Sequence, residues 1–315
     1  MDAIRIEGLT KHYSVGFWRP RRYTALDHLT LRVAEREVFG FLGPNGAGKT
    51  TTLKLLMQLM FPSEGTAEIL GKPVGDVSVR RRIGYLPEHP YFYENLTAEE
   101  LLSYFASLFG YHGQERAQRV SRLLDDVGLG AERRFQLRKY SKGMLQRVGL
   151  AQALINDPEL VFLDEPMSGL DPIGRAQVRD LILTLRDRGV TVFFSSHILS
   201  DAEAICSRVG ILAAGKLAAA GSLTEIVPFK IHGWDLVVGG APQALLDELT
   251  GGGATVTRIS DDRYRLLLSD AAAPDAIVGR VSAAGGTIVS LNPLRKTLED
   301  FFMAQVGQTA ARHFD

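Results

Sequence analysis

The sequence has very little cysteine and no excess of charge of either sign. Its 315 residues include a single cysteine, Cys206, which excludes both an intrachain disulfide and a multi-cysteine metal site. Cys206 lies in an apolar helical context, so we expect a small buried side chain. Lysine plus arginine number 36, aspartate plus glutamate also number 36, and the formal net charge is therefore zero. A general nucleic-acid binder would carry a basic excess, so we expect no nucleic-acid partner.

Long apolar segments are also missing. The first seven residues, Met1 to Glu7, contain charged side chains and no apolar signal segment. No run of the sequence reaches the length of a membrane span. We therefore expect a cytoplasmic protein that reaches the inner face of the cell membrane only through a partner. The hydrophobic content of 45% and charged content of 23% are ordinary for a globular protein, and the length allows one large domain and a small one.

The stretch from Val38 to Thr52 carries the strongest motif. An apolar strand leads into Gly43–Thr50, which fits the phosphate-loop pattern G-x-x-x-x-G-K-[ST] without a mismatch, and a helix follows. The glycines let the backbone curl so that several N–H groups converge on a phosphate, and the helix adds its positive N-terminus. Lys49 can reach the β- and γ-phosphates, and the Thr50 hydroxyl can bind Mg²⁺. The alternative, a glycine-rich turn with a chance lysine, leaves the complete match in this context unexplained.

The order of predicted elements indicates the fold class. Strands alternate with helices around the phosphate loop, which implies an α/β protein with a mostly parallel sheet covered on both faces. The composition changes near Gly221, and from about Trp234 the pattern is strand, helix, two strands, helix and strand, a ferredoxin-like order. A last helix is predicted from Thr297. We therefore expect an α/β domain over residues 1–221, with a helical subdomain at about 88–156, and a small α+β domain over residues 222–315.

Several predicted helices carry capping signals. Two segments have the spacing of a capping box, in which a hydroxyl and a glutamate three residues later satisfy each other's backbone groups. Two further positions combine a capping side chain with a suitable first turn. The expected caps are Thr97 with Glu100, Ser200 with Glu203, Ser141, and Asp171 followed by Pro172.

Three polar residues follow buried strands. Asp164 and Glu165 end the apolar strand Leu160–Leu163, and His197 follows the strand Thr191–Ser195. Open α/β sheets place their ligands at this edge. Phosphoryl transfer to water needs a carboxylate that holds Mg²⁺ and a group that positions the attacking water. Asp164 suits the first role and Glu165 the second, although two acids after a strand can also be a helix cap. A γ-phosphate contact is the functional role for His197, whereas a lone histidine is more often structural.

Taken together, these motifs resemble the ATPase subunit of an ATP-binding cassette (ABC) transporter over about Ile4 to Ala220. The resemblance implies ATP and Mg²⁺ as cofactors, a P-loop ATPase core with an antiparallel β subdomain and a helical signature subdomain, and catalytic roles for Lys49, Glu165 and His197. It also implies metal ligation by Thr50, Glu88 and Asp164. The ATP-binding residues implied by the family's motifs are Tyr13, Gly43, Pro44, Asn45, Gly46, Ala47, Gly48, Lys49, Thr50, Thr51, Ser141, Gly143 and Asp171.

The sequence departs from the family pattern at two places. The signature, usually Leu-Ser-Gly-Gly-Gln, is Tyr140–Met144 here and carries Lys142 in place of a glycine. Glu88 stands where the family usually has glutamine; a carboxylate can still bind Mg²⁺ but repels phosphate oxygens. Both variants, and the segment Lys296–Phe302, resemble a branch of ABC exporters whose ATPase and membrane subunits are separate chains. We expect Glu88 to make hydrolysis more dependent on a partner.

A charge count favours a site shared by two chains. ATP carries about −4, while Mg²⁺, Lys49 and its helix N-terminus supply roughly +3.5. One further helix N-terminus would offset the remainder, and the helix capped by Ser141 can provide it. In the family that helix lies far from its own phosphate loop and serves the partner's ATP. We therefore expect an ATP-sandwiched homodimer, or a heterodimer with a similar chain.

Two other segments carry partner hypotheses. His89–Leu96 is rich in aromatic residues, and we expect it to form the groove for a multi-span membrane permease, with local packing as the alternative. The basic insert Phe17–Tyr23 is either a solvated hairpin tip or a membrane contact.

The rival functions are a soluble ABC ATPase acting on ribosomes or DNA, and an ABC-like tether whose ATP binding matters more than turnover. For the C-terminal domain, reinforcement of the dimer and a regulatory contact are the two hypotheses. The sequence does not identify a transported substrate.

Overall fold

The computed structural model describes residues 1–16, 21–227, 231–269, 274–295 and 297–303. The chain forms two compact units, one chiefly of Met1–Ile226 and the other of Val227–Phe301. The first unit thus extends past Gly221, because a strand and a short helix of that unit continue to Ile226. Residues 17–20 of the predicted insert Phe17–Tyr23 lie outside the described residues, and so does Lys296 of the segment Lys296–Phe302.

The centre of the first unit is a six-stranded sheet. Its strands, in spatial order, are β10 (Lys216–Ser222), β9 (Arg208–Ala213), β3 (Val38–Leu42), β8 (Thr191–Ser196), β7 (Leu160–Asp164) and β6 (Ile83–Leu86). All neighbours are parallel except β10, which pairs antiparallel with β9. Every residue of β3, β7 and β8 is buried, as expected for a parallel sheet covered on both faces. The predicted α/β class is confirmed.

An antiparallel sheet packs against this centre. Its order is β2 (Arg21–Ala34), β1 (Asp2–Val15), β4 (Glu64–Ile69) and β5 (Lys72–Pro73). Its apolar side chains share a core with the aromatic rings of the central sheet, where Phe193 contacts Phe39, Phe41 and Phe162 at centroid distances of 5.3–5.8 Å. Because each buried aromatic ring removes a large apolar area from water, this cluster holds the two sheets together.

Helices cover the sheets and connect the strands. The described α-helices of the first unit up to Ile226 are α1 (Lys49–Leu56), α2 (Val77–Arg80), α3 (Ala98–Leu108), α4 (Gly113–Asp126), α5 (Lys142–Ala153), α6 (Pro172–Asp187), α7 (Leu199–Ile205) and α8 (Leu223–Ile226). Within the described ranges, no helix is long and apolar enough to cross a membrane.

The predicted caps of three helices are confirmed. Thr97 and Glu100 form the complete capping box of α3, Ser141 accepts from the Met144 N–H, and Asp171 accepts from the Gly174 N–H. The capping box expected from Ser200 and Glu203 is wrong. Helix α7 begins at Leu199 with Ile198 as its N-cap and no side-chain cap, because the Ser196 hydroxyl accepts from the Ile198 N–H and the helix starts two residues earlier than predicted.

The second unit has the predicted βαββαβ order. It comprises β11 (Ile231–Gly239), α9 (Gln243–Gly251), β12 (Thr255–Ser260), β13 (Arg263–Ser269), α10 (Pro274–Ala283) and β14 (Thr287–Arg295). The strand order β12-β13-β11-β14 is antiparallel throughout, with β11 and β13 in the middle. Leu236, Val238 and Leu266 of the sheet pack with Val281 of α10. Helical residues resume at 298–303, and Thr297 and Asp300 cap this segment reciprocally.

Candidate functional site

The phosphate-loop motif forms the turn between β3 and α1. Gly46 and Gly48 have φ of 80° and 107°, a region that glycine occupies without strain. A Cβ at Gly48 would lie 2.5 Å from the Ala25 carbonyl oxygen, and one at Gly43 would collide with the Leu212 carbonyl oxygen. At Gly46, no atom of the described residues lies within 4 Å of the position that a Cβ would take. Two of the glycines are thus required by packing beneath the loop, while Gly46 leaves its outer surface open.

Lys49 lies beneath the loop with its ammonium group buried. Its Nζ donates to the carbonyl oxygens of Gly43 at 2.7 Å and Pro44 at 3.3 Å. The same atom lies 3.2 Å from Oε1 of Glu165, and only 6% and 8% of the two side chains are exposed. Because a buried charge needs partners, this arrangement keeps a positive charge at the N-terminus of α1.

Glu165 connects Lys49 to the predicted histidine. Its Oε2 lies 2.8 Å from Nδ1 of His197, and its backbone N–H donates to Oγ of Ser195 at 3.0 Å. Glu165 has a φ of 51°, an uncommon conformation for a residue other than glycine. Such backbone conformations persist where the surroundings enforce them, often at functional sites. The turn after β7 thereby directs the carboxylate towards α1 and His197.

Asp164 is almost fully buried and is only partly satisfied. Its Oδ1 accepts from the Ser195 hydroxyl at 2.6 Å and the Thr50 hydroxyl at 3.4 Å. Its Oδ2 is buried without a hydrogen-bond partner in the described part of the chain. Burial raises the pKa of Asp164; the Ser195 and Thr50 hydrogen bonds oppose this, and the negative charges of Glu88 and Glu165 add to it. An unpaired carboxylate oxygen beside a hydroxyl fits a hard divalent cation, which prefers oxygen ligands.

A recess of about 380 Å³ brings most of the predicted residues together. Its lining comprises Tyr13, Tyr23, Ala25, Pro44, Asn45, Gly46, Gly48, Lys49, Thr50, Thr51, Glu88 and Glu165. Gly43, Ala47, Asp164 and His197 do not line the recess, but each bonds to a residue that does.

Sequence reasoning missed Tyr23 and Ser195. Tyr13 lies directly opposite Tyr23 in the β1–β2 register, so two aromatic rings lie at one end of the recess. The sequence analysis places Tyr23 in an insert that is either a hairpin tip or a membrane contact, and the signal for its position in the recess was the pairing of two tyrosines across a hairpin. Ser195 is opposite Asp164 in the β7–β8 register, and the signal was a serine directly after the apolar run Val192–Phe194.

Ser141, Gly143 and Asp171 do not line the recess. Ser141 and Asp171 cap α5 and α6 through their side chains. A Cβ at Gly143 would lie 3.5 Å from Cδ2 of Leu170, so the start of α5 lies beside the segment Ser168–Asp171. The predicted roles of these residues in binding a partner's ATP remain predictions.

The aromatic residues of His89–Leu96 divide into two groups. Phe92 is buried, which agrees with local packing, whereas Tyr91 and Tyr93 are exposed to 97% and 69%. A separate groove of about 580 Å³, which the sequence did not indicate, has a mainly apolar lining that includes Leu59, Tyr85, Phe105, Leu108 and Phe109. The chain therefore presents apolar surface at two places.

Comparison with known proteins agrees with this geometry. The family model described as ABC transporter matches residues 26–168. An ABC transporter ATP-binding protein of Synechocystis sp. is 46% identical over 309 residues, which cover 98% of this chain and 85% of that protein. A fluoroquinolones export ATP-binding protein of Mycobacterium tuberculosis is 39% identical over 227 residues, or 71% and 72% of the two chains.

Among solved structures, similarity extends to a dimeric ATP-binding cassette in a post-hydrolysis state bound to ADP and Pi. It has a TM-score of 0.65 and 26% identity, and the match covers 70% of this chain and 98% of that one.

Proposed function

This chain belongs to the ABC transporter family as an ATP-binding and ATP-hydrolysing subunit, and we propose that it powers an exporter whose permease is a separate chain. The observation that carries the proposal is the continuous set of contacts from Lys49 through Glu165 to His197, beside the buried Asp164. The M. tuberculosis relative, named for export, supports the direction of transport. The relatives give no support to a ribosome or DNA function.

Each residue of the site has a distinct proposed role. Tyr13, with Tyr23, stacks on adenine, while the loop N–H groups and Lys49 bind the phosphates. Mg²⁺, held by Thr50, Asp164 and Glu88, would reduce the negative charge of the phosphates. Glu165 orients the attacking water after Lys49 turns from its carboxylate to the phosphates. His197, hydrogen-bonded to Glu165, contacts the γ-phosphate.

The proposed assembly is a dimer with ATP between the two chains. Ser141 and Gly143 start α5, whose N-terminus provides partial positive charge and free N–H groups. Since neither residue lines the recess of its own chain, we assign them to the ATP of a second copy or a similar chain. We assign Asp171 to the same surface, the one that faces the ATP of the second chain. The second unit, 227–301, either reinforces the dimer or receives a regulatory contact.

Association with the permease is assigned to exposed apolar surface in the first unit. The predicted segment His89–Leu96 offers Tyr91 and Tyr93, and the groove beside Leu59 and Leu108 offers a wider apolar surface. Apolar grooves of this kind accept amphipathic helices, so we propose that the groove takes a cytoplasmic helix of the permease. This docking would place the chain at the inner face of the cell membrane.

The test is purification of the tagged chain from membranes solubilised in mild detergent. A multi-span membrane protein at about equal stoichiometry is the expected result. Leu108→Asp should remove that partner if the groove is the docking site, and Tyr91→Asp should remove it if the predicted segment is. Both side chains are exposed, at 62% and 97%, so neither change should prevent folding. Recovery with ribosomal or DNA-repair proteins alone would overturn the proposed role while leaving the ATPase assignment intact.

A further inference from the structure

The recess has more negative charge than its single buried ammonium can balance. Nζ of Lys49 lies 3.2 Å from Oε1 of Glu165, Glu88 is part of the same lining, and the carboxylate of Asp164 is hydrogen-bonded to the neighbouring Thr50. The family's usual glutamine at the position of Glu88 would be neutral. Glutamate in place of that glutamine adds about one negative charge to the recess where the ATP phosphates must bind. This charge and the negative phosphates repel each other, even when solvent partly screens them. The site therefore requires an additional positive charge when ATP is bound.

A positive charge is available at the other departure from the family pattern. Lys142 is the first residue of α5 and its side chain is exposed, with no ion pair to a carboxylate among the described residues. The end of its side chain lies over Gly169, where a Cβ would collide with Nζ of Lys142 and would be 2.9 Å from its Cε. Gly169 has a φ of 69° and no side chain of its own, so the lysine occupies that space.

We propose that Lys142 of one chain and Glu88 of its partner form a compensating charge pair in the ATP-bound dimer. This inference rests on the proposed sandwich, in which Ser141 and Gly143 face the partner's γ-phosphate. Lys142 lies between them in sequence, at the same helix N-terminus. Relative to a site with glutamine and glycine at these two positions, Glu88 adds about −1 and Lys142 adds about +1 to the closed site. The two departures therefore cancel, whereas either one alone changes the charge of the site by about one unit.

A double-mutant cycle in the full chain tests the proposal. Glu165→Gln serves as the background so that ATP is retained, and light scattering measures the ATP concentration that gives half-maximal dimerisation with Mg²⁺. Lys142→Gln should raise that concentration about tenfold, which corresponds to about 1.4 kcal/mol. When Glu88→Gln is also present, the same change should have an effect below about twofold, because the unbalanced charge is gone. Ionic strength near 1 M, where the screening length is about 3 Å, should reduce the coupling.

Lys142→Arg is the matched control, because it keeps the charge and changes the shape. It should dimerise at nearly the same ATP concentration as the background, and all of these variants should unfold at similar temperatures without nucleotide. Additive effects of Lys142→Gln and Glu88→Gln on the ATP concentration for dimerisation would overturn the charge pair. An equal weakening of dimerisation by Lys142→Arg and Lys142→Gln would also overturn it, because the lysine would then act only through its contact with Gly169. Failure of the Glu165→Gln background itself to dimerise would refute the sandwich, and this inference with it.

Discussion

Asp164→Asn should stabilise the protein in the absence of nucleotide and metal while it abolishes ATP hydrolysis. The carboxylate is 1% exposed, and its Oδ2 has no hydrogen-bond partner in the described chain. Asparagine keeps an oxygen that can accept from Ser195 and Thr50, and it removes the buried charge. The site thus gives up a metal ligand but no longer carries an uncompensated anion.

The magnitude follows from the buried negative charge. The asparagine NH₂ that replaces Oδ2 is also a buried polar group without a partner, so the substitution removes only the extra cost of burying a charged rather than a neutral group. We expect the free energy of unfolding to rise by about 1–2 kcal/mol. For a domain of this size the midpoint of thermal unfolding should rise by roughly 2–8 °C. Since burial raises the folded-state pKa of Asp164, the gain should be largest above that pKa, where the wild-type carboxylate is charged. It should fade as the pH falls below the folded-state pKa and vanish below the unfolded-state pKa of about 3.9, because Asp164 is then protonated in both states.

Scanning calorimetry with a chelator and without ATP measures this difference at two pH values. Asp201 provides a matched control, since it is 2% exposed but accepts from Arg175 at 2.7 Å. Asp201→Asn should lower the free energy of unfolding by about 1–3 kcal/mol, because a satisfied carboxylate is lost. An Asp164→Asn protein that unfolds at a lower temperature than wild type would refute the argument that this carboxylate is held at a net cost.

Three further predictions concern the site and the core. Glu165→Gln should lower the rate of hydrolysis by about 10²–10⁴-fold in a phosphate-release assay, because the carboxylate that orients the attacking water is lost, while ATP binding is retained. An unchanged rate would remove Glu165 from the mechanism. Tyr13→Ala and Tyr23→Ala should each weaken ATP binding by about tenfold in titration calorimetry, since stacking on a base contributes about 1–3 kcal/mol. If only the Tyr13 substitution weakens binding, Tyr23 does not stack on the base. Cys206 should resist alkylation until the chain unfolds, because it is 9% exposed and burial raises the pKa of its thiol; rapid labelling of the native protein would contradict its placement.

Local sequence patterns were sufficient for much of the fold. The strand–loop–helix around Gly43–Thr50 and the caps at Thr97 and Ser141 each depend on residues a few positions apart, and the structure has them as predicted. The failure at Ser200 is local as well. A capping-box spacing was present, but Ser196 had already fixed the turn before α7.

The geometry of the site was decided by tertiary structure. Thr50 and Asp164 are separated by 114 positions, and they meet because α1 starts from β3 while β7 lies two strands away. The β7–β8 register sets Ser195 against Asp164, and the hairpin register sets Tyr23 opposite Tyr13.

The sequence by itself therefore determined the family, the motifs and the residue types, because hydrophobic periodicity and glycine spacing act on the backbone locally. The tertiary structure decided which oxygen of Asp164 lacks a partner, which glycines are required by packing, and that Lys142 lies across Gly169. These features depend on sheet order, strand register and side-chain packing, which join residues far apart in the chain and leave no periodic signal in it.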